Sequence, residues 1–183
     1  MVVAVSSYPF SDNTSILTPE LWDPATETFT AMAPMSTPRT YHSIALLLPD
    51  ARVISAGGGL CGSCSTNHPD AQIFTPPYLL NPDGSPRPRP AIVSAPVTAA
   101  AGTSIDVTTD RAVTGFSVVR MGSTTHTVNT DQRRIPLTAT ATSGSTSTLS
   151  LPADRGVLVP GYYMLFALDA AGVPSVARTI RVS

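Results

Sequence analysis

The chain contains no lysine and carries little charge of either sign. Its 183 residues include 11 Lys+Arg and 12 Asp+Glu, and its formal net charge is -1. Phosphate binding needs a concentrated positive surface. A chain with only 13% charged residues is not expected to provide one, so nucleic acid is excluded as a partner.

Long apolar segments are missing as well. No run approaches the roughly 20 apolar residues that a membrane-spanning helix requires, so no membrane partner is expected. The start of the chain, Met1 to Phe10, has neither a basic segment nor a long apolar one, and it does not resemble a secretory signal peptide. Secretion of the mature protein would require a leader outside these residues.

A helical pattern is absent too, whereas Pro, Gly, Ser and Thr are frequent. No long window repeats its apolar residues every 3.6 positions, and short alternating runs recur throughout. The sequence therefore predicts an all-β fold. Strands are predicted near residues 20–22, 27–32, 42–48, 52–56 and 71–75, and again near 104–108, 115–120, 135–140, 147–151, 162–168 and 176–182.

A proline-rich segment, residues 81–90, separates these two groups of strands. Proline cannot donate to a strand ladder and stiffens the chain, so we interpret this segment as a linker. Residues 91–183 are then predicted to form a β-sandwich of immunoglobulin-like type.

Residues 1–80 resemble one blade of a kelch-type propeller together with part of a preceding loop. The pattern runs from Trp22-Asp23-Pro24 through Phe29 to Gly57-Gly58-Gly59, and we expect Trp22, Phe29 and Phe74 to form the blade core. A blade buries its faces against its neighbours, and a stable array needs about three repeats or more. One blade is therefore expected to depend on further blades.

Histidine is scarce, yet two of the three histidines suggest a metal site. Tyr41 and His42 are adjacent, and His126 lies in a threonine-rich run. Two imidazoles and a phenolate suit Cu(II), with zinc as the competing ion. Neighbouring strand residues point to opposite faces, so Tyr41 and His42 can share an ion only at an irregular strand start, which Pro38 favours.

Taken alone, these side chains also fit ordinary structural roles. Tyr41 and His42 would more often be a buried aromatic residue and a hydrogen-bonded strand histidine, and His126 an exposed loop residue. His68 lies close to a proline and an aspartate, where hydrogen bonding within a turn is the common role. The surrounding motifs decide between these readings.

The order of the motifs resembles the galactose oxidase family of copper radical oxidases, from about Phe10 to Ser183. The motifs that carry the resemblance are Tyr41-His42-Ser43, Gly57 to Cys64, Asp70 to Pro76, His126 to Pro136 and Pro160 to Phe166. It covers the C-terminal portion of the family proteins, which is the last kelch blade followed by an immunoglobulin-like, early-set domain.

The resemblance implies roles for individual residues. Tyr41 matches the axial tyrosine, a copper ligand and general base, while His42 and His126 match the two histidine ligands of Cu2+. Phe10 matches an aromatic residue of the substrate pocket.

Four further residues receive supporting roles. Cys61 and Cys64 match a family disulfide; a redox or zinc motif is the alternative, but a single pair lacks the second half of a zinc site. A disulfide implies an oxidising compartment. Arg133 and Arg134 are expected to fix the loop that carries His126.

The activity implied by the resemblance is oxidation of a primary alcohol, or of a sugar such as galactose, to an aldehyde while O2 is reduced to H2O2. Glyoxal and simple alcohols are further candidate substrates. The family proteins are secreted. Their Tyr-Cys radical cofactor lies in earlier blades and is not encoded here, so we expect an isolated chain to be inactive unless the missing blades are supplied in cis or in trans.

The alternative is a non-catalytic β-sandwich module that binds or supports other molecules, a remnant of such an oxidase. In-frame kelch repeats with a cysteine and a tyrosine upstream of Met1 would favour the oxidase. A promoter and a clean start at that place would favour the remnant.

Overall fold

The computed structural model describes residues 12–13, 15–59, 62–63, 65–126 and 128–183. Phe10, Cys61 and Cys64 lie outside these ranges, and the roles predicted for them stay predictions. In the described ranges the regular structure consists of strands and one 3-10 turn, Pro77–Leu79, so the predicted all-β class is confirmed. None of the helical structure described there is long and apolar enough to cross a membrane.

The chain divides into two compact units. The first comprises Met1–Leu47, Val53–Phe74 and Thr124–Thr130, and the second comprises Leu48–Arg52, Thr75–Ser123 and Asp131–Ser183. The tip of one long connection in the second half of the sequence, residues 124–130, is thus part of the first unit.

The first unit contains a hairpin and a three-stranded antiparallel sheet. Strands β1 (Glu20–Asp23) and β2 (Thr28–Ala31) form the hairpin, and the order in the sheet is β3 (Ile44–Leu47), β4 (Val53–Ala56) and β5 (Ala71–Phe74). The hairpin turn is stabilised locally, because the Asp23 carboxylate accepts a hydrogen bond from the Ala25 N–H at 2.9 Å.

Trp22 and Phe29 are paired across this hairpin, with ring centroids 4.7 Å apart. Their exposed fractions are 36% and 54%, so the prediction that both are core residues is wrong for the described chain. The physical reason is that β1 and β2 pair only with each other among the described strands, so the two rings lie on an isolated two-stranded hairpin.

The second unit is built on one eight-stranded sheet. Its order is β6 (Ile92–Ser94), β8 (Ser104–Thr109), β11 (Thr146–Ser150), β10 (Arg134–Ser143), β9 (Gly115–Arg120), β12 (Gly161–Leu168), β13 (Arg178–Val182) and β7 (Thr98–Ala99). The ten-residue β10 joins its two halves, since residues 134–137 pair with β9 and residues 138–143 pair with β11. A register shift between Ala139 and Ala141 lies just after the place where the strand changes partner.

The core of the second unit lies between these halves. Residues alternate between buried and less buried along β8 and β11, as a strand with one buried face requires. The core includes the fully buried side chains of Val107, Val118, Leu149, Leu158 and Leu165.

The proline-rich segment belongs to the second unit and is anchored to it. The Arg89 guanidinium donates hydrogen bonds to the carbonyls of Pro174, Ser175 and Asp50 at 2.7, 2.6 and 2.8 Å. The predicted boundaries at residues 80 and 91 stay predictions.

Candidate metal centre

Tyr41 and His42 lie in a tight turn immediately before β3. The Ser43 N–H donates to the Thr40 carbonyl at 3.1 Å, and His42 adopts a positive φ of 69° at the third position of this turn. That combination is a type II turn, in which side chains do not alternate as they do in a strand. The predicted irregular strand start is therefore observed.

Three consecutive glycines with positive φ, Gly57-Gly58-Gly59, support this turn from one side. A Cβ atom at Gly58 would lie 3.2 Å from the Thr40 backbone nitrogen, and one at Gly59 would overlap the Thr66 carbonyl oxygen. The glycines thus permit their backbone to lie close to Thr40 in the turn and to Thr66 on the other side.

Gly59 also orients the His42 ring. The Gly59 carbonyl lies 3.1 Å from His42 Nδ1, and because a carbonyl can only accept, Nδ1 carries the proton. In the neutral ring the lone pair is then on Nε2. This arrangement, with one ring nitrogen donating to a backbone carbonyl, is the common one for a metal-binding histidine.

Arg39 fixes the glycine segment to the start of the turn. Its side chain is fully buried and forms an ion pair with Asp70 at 3.0 Å, while its Nη1 donates to the Gly57 carbonyl at 3.0 Å. The Gly57 N–H in turn donates to the Asp70 carbonyl at 3.1 Å. Hydrogen bonds from Arg39 are the main cause that lowers the pKa of the Asp70 carboxyl below its ordinary value.

His126 lies at the tip of a separate hairpin. Thr125 and Val128 exchange two backbone hydrogen bonds, of 3.2 and 2.8 Å, which close a two-residue turn. His126 has a φ of 54°, as the first central residue of such a turn requires. Its Nδ1 lies 2.6 Å from the Thr125 hydroxyl.

The three rings converge within the first unit. Ring centroids are 4.2 Å apart for His42 and His126, 3.9 Å for Tyr41 and His42, and 5.3 Å for Tyr41 and His126. Tyr41 is 45% exposed, so the cluster is open to solvent on one side. Two imidazoles and a phenol in contact, with His42 Nε2 available as a lone-pair donor, fit a Cu(II) ion.

The remaining predicted residues that the structure describes have other contacts. The third histidine, His68, pairs with the Asp12 carboxylate at 3.1 Å. Arg133 donates to the Gly156 carbonyl at 3.2 Å, and Arg134 begins β10. That these two arginines fix the His126 loop stays a prediction.

Sequence reasoning did not assign a role to Arg39 or to the Gly59 carbonyl. Arginine is rarely buried, so a side chain next to a polar turn gives no signal for burial. The partners are also distant in sequence: Arg39 contacts residues 18 and 31 positions away.

Comparison with known proteins gives consistent results. Residues 89–182 match the family model of the galactose oxidase-like, early set domain. A galactose oxidase of Gibberella zeae is 53% identical over 176 residues, which is 96% of this chain and 26% of that protein. An aldehyde oxidase GLOX of Vitis pseudoreticulata is 32% identical over 169 residues, covering 84% of this chain and 32% of that protein.

A solved structure is similar over the full chain. It is a fungal alcohol oxidase in complex with copper, with a TM-score of 0.94 and 49% identity, and the match covers 100% of this chain and 39% of that one. The chain thus spans about a quarter of the length of the galactose oxidases that it matches, and the predicted relation to their C-terminal portion agrees with this coverage. With its all-β fold, its early-set domain and its cluster of Tyr41, His42 and His126, this chain belongs to the galactose oxidase-like family.

Proposed function

We propose that this chain supplies three protein ligands of the copper centre of a galactose oxidase-like alcohol oxidase. The observation that supports the proposal is the contact between the imidazoles of His42 and His126, with the phenol of Tyr41 against both. The copper in the structure of the similar fungal alcohol oxidase agrees with this donor set.

In this proposal the three ligands come from two separate turns of the backbone. His42 binds through Nε2, because the Gly59 carbonyl engages Nδ1. His126 approaches from the hairpin tip, and Tyr41 from the turn that also carries His42. A bound Cu2+ ion would supply a Lewis acid and a one-electron acceptor at this point.

Tyr41 is the residue of this chain that we assign to the chemistry itself. The reaction converts a primary alcohol and O2 to an aldehyde and H2O2, so the substrate loses its hydroxyl proton and one hydrogen from carbon. The Tyr41 oxygen takes the hydroxyl proton, a role that a phenolate beside a metal can fill. Its partial exposure leaves room for an alcohol to approach.

We further propose that turnover needs residues beyond this chain. Its two cysteines, Cys61 and Cys64, match a disulfide, so no cysteine is left for a radical Tyr-Cys cofactor. The substrate is proposed as a primary alcohol, with galactose as the first compound to test and small aldehydes such as glyoxal as the second. An extracellular location belongs to the same proposal.

Copper titration of the chain tests the site. We expect His42→Ala and His126→Ala each to weaken Cu(II) binding by tenfold or more, because each removes one of the nitrogen donors. His68→Ala is the matched control, since it removes the remaining histidine, which pairs with Asp12 outside the cluster. Equal losses in all three variants, or none in His42→Ala and His126→Ala, would contradict the proposal.

A further inference from the structure

We propose that Arg120 and Asp131 form a clamp that positions His126 for metal binding. The two residues stand on either side of the segment whose tip is His126, and their side chains are joined by a salt bridge of 2.8 Å. The inference rests on the proposed copper site and adds two positioning residues to it.

Arg120 is well suited to hold a loop. It is the last residue of β9, and its side chain is only 16% exposed. Nε donates to Asp131 Oδ1, while Nη1 donates to the carbonyls of Val159 and Pro160 at 3.0 and 2.7 Å. The planar guanidinium can meet all three oxygens at once because its donors have a fixed fork geometry.

A buried aromatic ring lies beneath this group. The Arg120 guanidinium carbon is 5.7 Å from the centre of the Tyr163 ring, which is fully buried. The Tyr163 hydroxyl donates to the Val159 carbonyl at 2.6 Å, the same carbonyl that Arg120 contacts. The clamp is therefore anchored on the segment that leads into β12 and on the buried Tyr163 ring of that strand.

Hydrogen bonds fix both sides of the connection from β9 to β10. On the outgoing side the Met121 N–H donates to the Tyr162 carbonyl at 2.9 Å. On the returning side the Arg133 carbonyl accepts from the Arg120 N–H at 3.0 Å, and Asp131 adds a side-chain tie two residues closer to the tip. Fixing the returning side at Asp131 shortens the segment between the two fixed ends and lowers the number of conformations open to His126.

Gly161 makes room for the clamp. A Cβ atom at this position would lie 2.5 Å from Arg120 Nη1 and 3.0 Å from Cζ. Any side chain there would displace the guanidinium. Gly161→Ala is thus a way to disturb the clamp while keeping both charged residues.

The first test measures loop order in the metal-free chain. In Arg120→Gln and Asp131→Asn we expect lower NMR order parameters for the amides of His126 and Val128, with Arg120→Lys restoring part of the order. Arg111→Gln is the matched control, since Arg111 pairs with Asp110 at 3.1 Å in the same unit and remains about half exposed. Its loop order should stay unchanged.

The second test measures Cu(II) affinity and the EPR spectrum of the bound ion. Loss of a residue that orients a metal ligand typically costs 10–100-fold in affinity, and we expect about a tenfold loss in Arg120→Gln with altered EPR parameters. The loss should largely disappear in a His126→Ala background, because the clamp acts through that ring.

The outcomes separate the clamp from the copper site. If the wild-type chain does not bind copper, or if His126→Ala binds copper as tightly as wild type, the proposed function is contradicted. The loop-order measurement would still test the clamp in that case. Folded variants with unchanged loop order, or with lost order but unchanged copper affinity, would overturn the clamp. If Arg120→Gln does not fold, Asp131→Asn decides, because it keeps Arg120 and its carbonyl contacts.

Discussion

Gly59 connects the backbone directly to a side chain of the candidate metal site. Its carbonyl fixes His42 Nδ1, and its φ of 92° together with the nearby Thr66 carbonyl leaves no space for a side chain. The residue at this position must adopt a positive φ and must have no Cβ atom, and only glycine satisfies both requirements.

Gly59→Ala is therefore expected to destabilise the fold by about 1–3 kcal/mol and to weaken Cu(II) binding, because the carbonyl must move. Urea unfolding and copper titration measure the two effects. Gly84→Ala is the control, since Gly84 has a φ of 82° with no described atom within 4 Å of an added Cβ. It should share the conformational cost and leave copper affinity unchanged; an equal copper loss in both variants would contradict the role of Gly59.

Asp70 gives the site a pH dependence of stability. Its pKa is lowered from the ordinary value of 3.8, first by the hydrogen bonds from Arg39. A carboxyl with a lowered folded pKa contributes stability that is fully present above the unfolded pKa and is lost as the pH falls through the folded one. Wild type should thus lose stability relative to Asp70→Asn below about pH 4.

Thermal unfolding of both proteins between pH 6 and pH 2 checks this. The difference in melting temperature between wild type and Asp70→Asn should be constant near pH 6 and should shrink as the pH approaches 2. Asp50, Asp83 and Asp110 also have lowered pKa values, so they too make the melting temperature of wild type fall with pH. The test is therefore the difference between wild type and Asp70→Asn. A difference that stays constant to pH 2 would exclude Asp70 as the source.

At the scale of elements, the core of the second unit follows the period of its strands. Leu149 on β11 is fully buried and belongs to the core cluster. Leu149→Ala should lower the free energy of unfolding by about 2–5 kcal/mol, because it removes buried contacts and leaves a cavity. Urea unfolding measures it.

Val157→Ala serves as the matched surface change, since Val157 is 44% exposed. It should change stability by less than about 0.5 kcal/mol. Similar values for the two variants would show that the eight-stranded sheet does not form the stable core described here.

The sequence predicts elements better than it predicts their partners. All eleven predicted strands have counterparts, because short apolar runs mark them, alternating in β8 and β11 and continuous in β12. Strands β6 and β7 were not predicted, since two or three residues are too short to show a period. The exposure of Trp22 and Phe29 was not predicted either, because burial depends on which surfaces meet and not on residue type.

In the candidate site, too, residues in local motifs were predicted from the sequence and their distant contacts were not. Tyr41, His42 and His126 were found through the motifs that contain them. Arg39, Gly59 and the pair Arg120–Asp131 were not, because their contacts join residues that lie 11 to 31 positions apart and that carry no local pattern.

At the scale of the whole molecule, the proposal gives the chain a metal-binding cluster and assigns both of its cysteines to a disulfide, which leaves none for a radical cofactor. We expect no H2O2 from the isolated chain with galactose and added copper, as measured by a peroxidase-coupled assay. Galactose oxidase of Gibberella zeae is a suitable positive control for the assay. Turnover by the chain alone would contradict the proposed need for residues beyond it.

The central claim is that His42 and His126 bind the same ion. Pulsed EPR of the Cu(II)-loaded chain tests it directly, because the modulation from imidazole nitrogen reports how many histidines coordinate the metal. We predict two imidazoles in wild type and in His68→Ala, and one in His42→Ala and in His126→Ala. One imidazole in wild type, or two in either of the last two variants, would contradict the account.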